Sequence, residues 1–304
     1  MKIKITNIGS IATWSPIENQ FTIIKDVDIL LDKDIIIEIG PKIAESDREI
    51  DACGALITPG FVDSHTHPIF SGNRAKEFSM RVQGKSYEEI ARSGGGIISS
   101  IDNVRKVNED VLFDESLERT NFFLQHGTTT IEAKSGYGLT IADEIKSLRV
   151  IQRLHKESAL DFVATFMGAH AFPPEYINDQ DAYIDMICND MIPVVSKEKL
   201  AEYCDIFCEN GYFSIEQSRK ILESAKKHGM KIRLHADEFE DSGAAELAAE
   251  LGAVSADHLM SVSEDGIKQM AQEGVIATLL PGTTLFLGKS EYANGRKIID
   301  MGCD

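Results

Sequence analysis

Two histidines set two residues apart are the first chemistry this sequence offers. His65 and His67 close the stretch I-T-P-G-F-V-D-S-H-T-H-P, residues 57 to 68. In an extended chain, residues i and i+2 point to the same side. Two imidazoles on one face at a strand end make two corners of a metal site. A third nitrogen is available from His235, in K-I-R-L-H-A-D-E, where Glu238 follows three residues later. His170 ends D-F-V-A-T-F-M-G-A-H, and His258 ends A-V-S-A-D-H. His65, His67 and His235 can together hold one divalent metal. Such an ion ionises a bound water near pH ~7. Glu238 is placed to shuttle the proton. His258 is either a further ligand or a polariser of the substrate. His126 and His228 each precede a glycine in the last turn of a helix, where the dipole favours them. They receive no function, and neither does His155, on a helix.

These side chains need elements to position them. Residues 2 to 58 read as short strands, with Asp32-Lys33-Asp34 as a turn between two of them. From Phe61 the rhythm changes to strands alternating with helices. The first strand, Phe61 to His65, is followed by a long excursion over 68 to 113. That stretch includes Gly94-Gly95-Gly96, read as a flexible spot and not a phosphate cradle. A helix capped by Asp114 is expected to run to His126, and further helices are expected over 140–157, 179–190, 196–201, 243–251 and 291–301. Ser214 with Gln217 reads as a capping box, and Ser263 as the cap of a helix ending at Glu273. Seven strand–helix units result. Eight close a (β/α)8 barrel, whose chemistry sits at the C-terminal strand ends. The histidines at 65, 67, 170, 235 and 258 all fall there. A doubly wound open sheet is the competing fold, but it does not place histidines at so many strand ends.

The chain has 304 residues, with 43% hydrophobic and 26% charged, as in ordinary globular proteins. A net charge of −18 argues against nucleic acid and anionic membrane as partners. A small anionic substrate stays open, because one local arginine can capture it. No run of ~18 apolar residues is present to span a membrane. The N-terminus alternates like a strand and does not read as a signal peptide. Five cysteines, an odd number without a disulfide spacing, point to a reducing compartment, the cytoplasm. Cys204 and Cys208, in C-D-I-F-C, read as core thiols of a strand.

P-G-F-V-D-S-H-T-H-P, the H-A-D-E around His235 and the S-A-D-H-L around His258 resemble the amidohydrolase superfamily of metal-dependent barrels. Further segments resemble, within it, the imidazolonepropionase family: H-T-H-P-I-F-S-G-N-R-A-K-E-F, S-Y-E-E-I-A-R-S-G-G-G-I, E-A-K-S-G-Y-G-L and F-M-G-A-H-A-F-P-P-E-Y. The resemblance covers essentially the whole chain. It implies hydrolysis of 4-imidazolone-5-propanoate to N-formimidoyl-L-glutamate in histidine degradation. It also implies an α/β (β/α)8 TIM-like barrel, here residues 59–304, with a small β-sandwich to which residues 1–58 belong. One zinc or iron ion on His65, His67 and His235 follows from it. So do substrate contacts by Arg74, Tyr137, His170 and Glu238, with Tyr87 and His258 close by. A guanidinium suits the propionate, which it can hold through two hydrogen bonds. The family's last metal ligand is an aspartate ending the eighth strand. This sequence stops before that strand, so the chain is expected to lack that ligand and to be inactive as it stands. Asp304, after a helix-like segment and Gly302, is not expected to replace it. Beyond the small-molecule substrate, the remaining partner left open is a second copy, in a homodimer. Rival readings are another amidohydrolase, such as a purine or pyrimidine deaminase, and a catalytically dead binding protein. Arg74 argues against a neutral base as substrate, and the three ligand histidines argue against a dead scaffold.

Overall fold

The computed structural model describes residues 1–43, 46–85, 89 and 95–304. Tyr87, most of the S-Y-E-E-I-A-R-S-G-G-G segment and Gly94 lie outside them. The chain divides into two units, Met1–Phe61 and Val62–Asp304.

The first unit is built from two small sheets. β1 (Lys2–Thr6), β4 (Asp28–Asp32), β5 (Ile35–Gly40) and β6 (Arg48–Asp51) pair in the order β5-β4-β1-β6. β2 (Ser10–Ser15), β3 (Gln20–Ile24) and β7 (Leu56–Ile57) pair in the order β3-β2-β7. The expected turn between β4 and β5 is present, with Lys33 at φ 57°, a left-handed backbone typical of tight turns. Ile11, Ala12, Ile29 and Leu30 are its buried strand residues.

The second unit is a nearly closed barrel of seven strands in sequence order. They are β8 (Phe61–Thr66), β9 (Thr128–Lys134), β10 (Asp161–Ala169), β11 (Tyr203–Cys208), β12 (Lys231–Ala236), β13 (Ser255–His258) and β14 (Ile276–Thr278). Each neighbouring pair from β9 to β14 is parallel. Helices cover the outer face of the strands and inward side chains fill the barrel, so β10, β11 and β12 are buried almost throughout. Helix Ile141–Glu157 shows how the cover is made. It buries Ile145, Leu148, Ile151 and Leu154, each three residues apart, on its inner side. Thr140 caps its start by accepting from the Asp143 amide. The Ser214–Gln217 capping box and the Ser263 cap are both formed. Cys204 and Cys208 are buried free thiols, as expected of a strand core. The last residues run beside β14, where the Ala277 amide donates to the Asp304 carbonyl.

Several boundaries differ from expectation. The helix before β9 starts at Glu109, because the Asn108 side chain accepts from the Val111 amide. Asp114 lies inside it. The helix expected over 196–201 is Ile192–Lys197, with a proline in its first turn, and it continues from a π-helical stretch, Ile187–Met191. Helix Pro281–Phe286 was not expected at all, and the last helix is only Gly295–Asp300. No described helix is long and apolar enough to cross a membrane.

Candidate active site

The strand ends bring the predicted histidines together. His65 Nε2 and His235 Nε2 lie 3.3 and 3.2 Å from His67 Nε2. Ligand nitrogens of His65, His235 and His258 also lie within 4.8 Å of one another. His65 Nδ1 donates to Asp257 Oδ2 at 2.6 Å, and His235 Nδ1 to Asp205 Oδ1 at 3.1 Å. Those bonds place the ring protons on Nδ1, so both Nε2 atoms present bare lone pairs. His67 Nε2 can donate to one of them but not to both. Burial also holds His65 down at about 3 and His67 well below its usual range, with nearby charged partners adding to it. Neutral imidazoles converging lone pairs on one point fit a cation, and metal binding requires that protonation state.

The backbone that presents these groups is strained locally. Asp237, His258 and Leu259 have φ of 50°, 79° and 56°. Non-glycine residues there cost about 1–3 kcal/mol each and cluster at working sites. Asp237 offsets its cost: its carboxylate accepts from the Ser242, Ala244 and Ala245 amides and anchors the next helix. That anchoring sets the next residue, Glu238, over the histidines. Glu238 Oε1 is 3.5 Å from His258 Nδ1. Burial pushes its carboxyl up to about 7, against the pull of His235. His170 donates through Nδ1 to the Gly136 carbonyl at 2.9 Å, and burial depresses it to about 3. Its Nε2 is therefore an acceptor. Tyr137 stands beside it, with ring centroids 5.1 Å apart.

A cavity of 310 Å³ opens above these groups, bordered by Arg74, Arg81, Tyr137, Phe207, Glu238 and Phe286, among others. Arg74 has a partner that its sequence context did not reveal. Glu77 accepts from its Nε at 2.8 Å and pairs with Nη2 at 2.6 Å. A larger cleft of 610 Å³, lined in part by His155, Lys199, His228 and Lys231, contains none of the predicted site residues. His126 and His228 close helix ends by donating Nδ1 to Phe122 and Ser224 carbonyls. Sequence reasoning missed the buried charges beneath the histidines: Glu132, Lys134, Asp205, Arg233 and Asp257. The available signal was a charge at an inward position of an apolar strand, as in C-D-I-F-C and K-I-R-L-H.

A barrel with histidines at the C-terminal ends of its first and later strands defines a metal-dependent hydrolase of the amidohydrolase class. The sequence model of the Amidohydrolase family matches residues 56–296. In fold, the chain is similar to an atrazine chlorohydrolase mutant from Arthrobacter aurescens, solved complexed with zinc and atraton. The TM-score is 0.63 and the identity 16%, over 99% of this chain and 70% of that one. Much nearer in sequence is an imidazolonepropionase from Clostridium tetani, 48% identical over 98% of this chain and 74% of that protein. One from Brevibacillus brevis is 50% identical over 93% of this chain and 69% of that protein. The chain belongs to the imidazolonepropionase family of amidohydrolases.

Proposed function

We propose that the chain hydrolyses 4-imidazolone-5-propanoate to N-formimidoyl-L-glutamate, with His65, His67 and His235 holding one zinc or iron ion. The observation that carries this is the convergence of three imidazole Nε2 atoms at 3.2 and 3.3 Å spacing, two of them oriented by aspartates. The ion, when bound, supplies Lewis acidity and makes a water nucleophilic near neutral pH.

The chain's own residues do the rest. Glu238 takes the proton of the attacking water and hands it to the ring nitrogen as the C–N bond breaks. A carboxyl with its pKa near neutrality suits both halves of that task. His258, depressed well below its usual range by burial, is neutral. Once Glu238 has taken the water proton it can donate to His258 Nδ1, which puts the ring proton on Nε2, unpaired and buried among the described residues, where it donates to the carbonyl oxygen as charge develops. His170 Nε2 accepts from a ring N–H. Arg74 and Arg81 line the same cavity and supply the guanidinium groups that hold a propionate carboxylate. Tyr87, outside the described residues, stays a candidate by resemblance only. We place the reaction in the cytoplasm on the five unpaired cysteines.

The test is loss of the imidazolone absorbance by purified protein loaded with zinc or iron: turnover would overturn the expectation that residues 1–304 are inactive as they stand, and no turnover would overturn the proposal. Chelation should abolish it and either ion should restore it. Ammonia release without loss of the ring would favour a deaminase instead.

A further inference from the structure

Beneath the histidines lies a sealed ionic layer that the reaction does not touch. Lys134, with 0% of its side chain exposed, pairs with Asp205 at 2.7 Å and Glu132 at 2.7 Å. Asp205 in turn accepts from His235 Nδ1. On the other side, Arg233 Nη2 donates to Asp257 Oδ2 at 2.9 Å and to the Ser64 carbonyl at 2.7 Å. That same Asp257 oxygen accepts from His65 Nδ1. Glu132 ties the halves, lying 2.7 Å from Lys134 and 3.7 Å from Arg233. The layer spans β9, β11, β12 and β13 and reaches β8 through Ser64 and His65. Three carboxylates face two cations, so the formal charges of the layer sum to one negative beneath the histidines.

We infer that Lys134 and Arg233 are positioning residues for the metal: Lys134 acts through Asp205 on His235, and Arg233 acts through Asp257 on His65. Either aspartate alone could rotate away from its histidine. A buried carboxylate that also holds a fixed cation, Asp205 through its other oxygen and Asp257 through the same one, cannot do so without giving up that ion pair. The cation thereby locks the carboxylate, the carboxylate locks the Nδ1–H tautomer, and the tautomer leaves Nε2 bare for the ion. The inference rests on the metal reading above and extends it to residues that never meet the ion.

Two measurements decide it. In metal-free wild type, ¹⁵N spectra of the imidazoles should show protonated Nδ1 and bare Nε2 for His65 and His235. The opposite tautomer on His235 would overturn the relay without any mutation. In the second, zinc affinity is measured by competition with a chelator. Lys134→Met and Asp205→Asn should each weaken zinc about 10–100-fold, the usual effect of losing a partner that orients a ligand. Lys134→Met should add little in the Asp205→Asn background, because it acts through that carboxylate. A folded Lys134→Met protein that binds zinc like wild type, with the His235 tautomer unchanged, would show the lysine to be structural only. A wild type that binds no zinc or iron would instead remove the metal assignment, and the tautomers would still decide whether the relay exists.

Discussion

Glu238→Gln separates the cost of a catalytic carboxyl from its use. Glu238 is buried, and its pKa stands at about 7 against an ordinary 4.5. Ionised, it is less stable in the folded protein than in water. The difference corresponds to about 3 kcal/mol at ~1.36 kcal/mol per pH unit. The sign follows from proton counting. Between pH 4.5 and about 7 the folded state binds more protons than the unfolded state, so stability falls as pH rises through that window. Glutamine keeps the shape and cannot ionise. Metal-free Glu238→Gln should therefore match wild type at pH 4 and exceed it by roughly 2–3 kcal/mol at pH 8. Denaturant melts of both chelated proteins at the two pH values measure this. The loaded variant should lose ~10²–10⁴ in kcat and keep its ion. A stability gain equal at both pH values, or none at pH 8, would refute the buried-base assignment. Loss of the ion with the same change would make Glu238 a ligand or a support for one.

Three further outcomes are expected. Arg74→Ala should mainly raise KM, by about ten- to a hundred-fold for one charged contact of roughly 1.5–3 kcal/mol; an unchanged KM would mean that Glu77 is its whole role. His170→Asn can keep the bond to the Gly136 carbonyl but loses the Nε2 acceptor, so KM should rise with the melting temperature nearly unchanged, whereas a large drop in melting temperature would make His170 structural. Ser214→Ala removes half of a formed capping box and should cost ~1 kcal/mol of stability with turnover unaffected, read by denaturant melts beside the absorbance assay.

The division between what the sequence reveals and what it hides follows the range of each interaction. His65 and His67 are legible as a pair because a strand turns spacing two into a shared face. His170, His235 and His258 are legible because apolar runs end at them. Caps at Ser214 and Ser263 are legible because donor and acceptor lie three residues apart. The misplaced cap at Asp114 shows the limit of that local signal, since Asn108 offers the same chemistry earlier in the chain. Helix Pro281–Phe286 has too short a pattern to stand out. The supporting charges are hidden for a different reason. His65 and Asp257 are 192 positions apart, His235 and Asp205 are 30 apart, and only the barrel register brings them into contact. A lysine in T-T-T-I-E-A-K looks like a solvated strand end until β11 sets Asp205 against it. The candidate ligands are thus written in local spacing, whereas the charged groups that contact them are written in the closure of the sheet. That is why the candidate metal-binding residues can be named from one sequence and the ionic layer beneath them cannot.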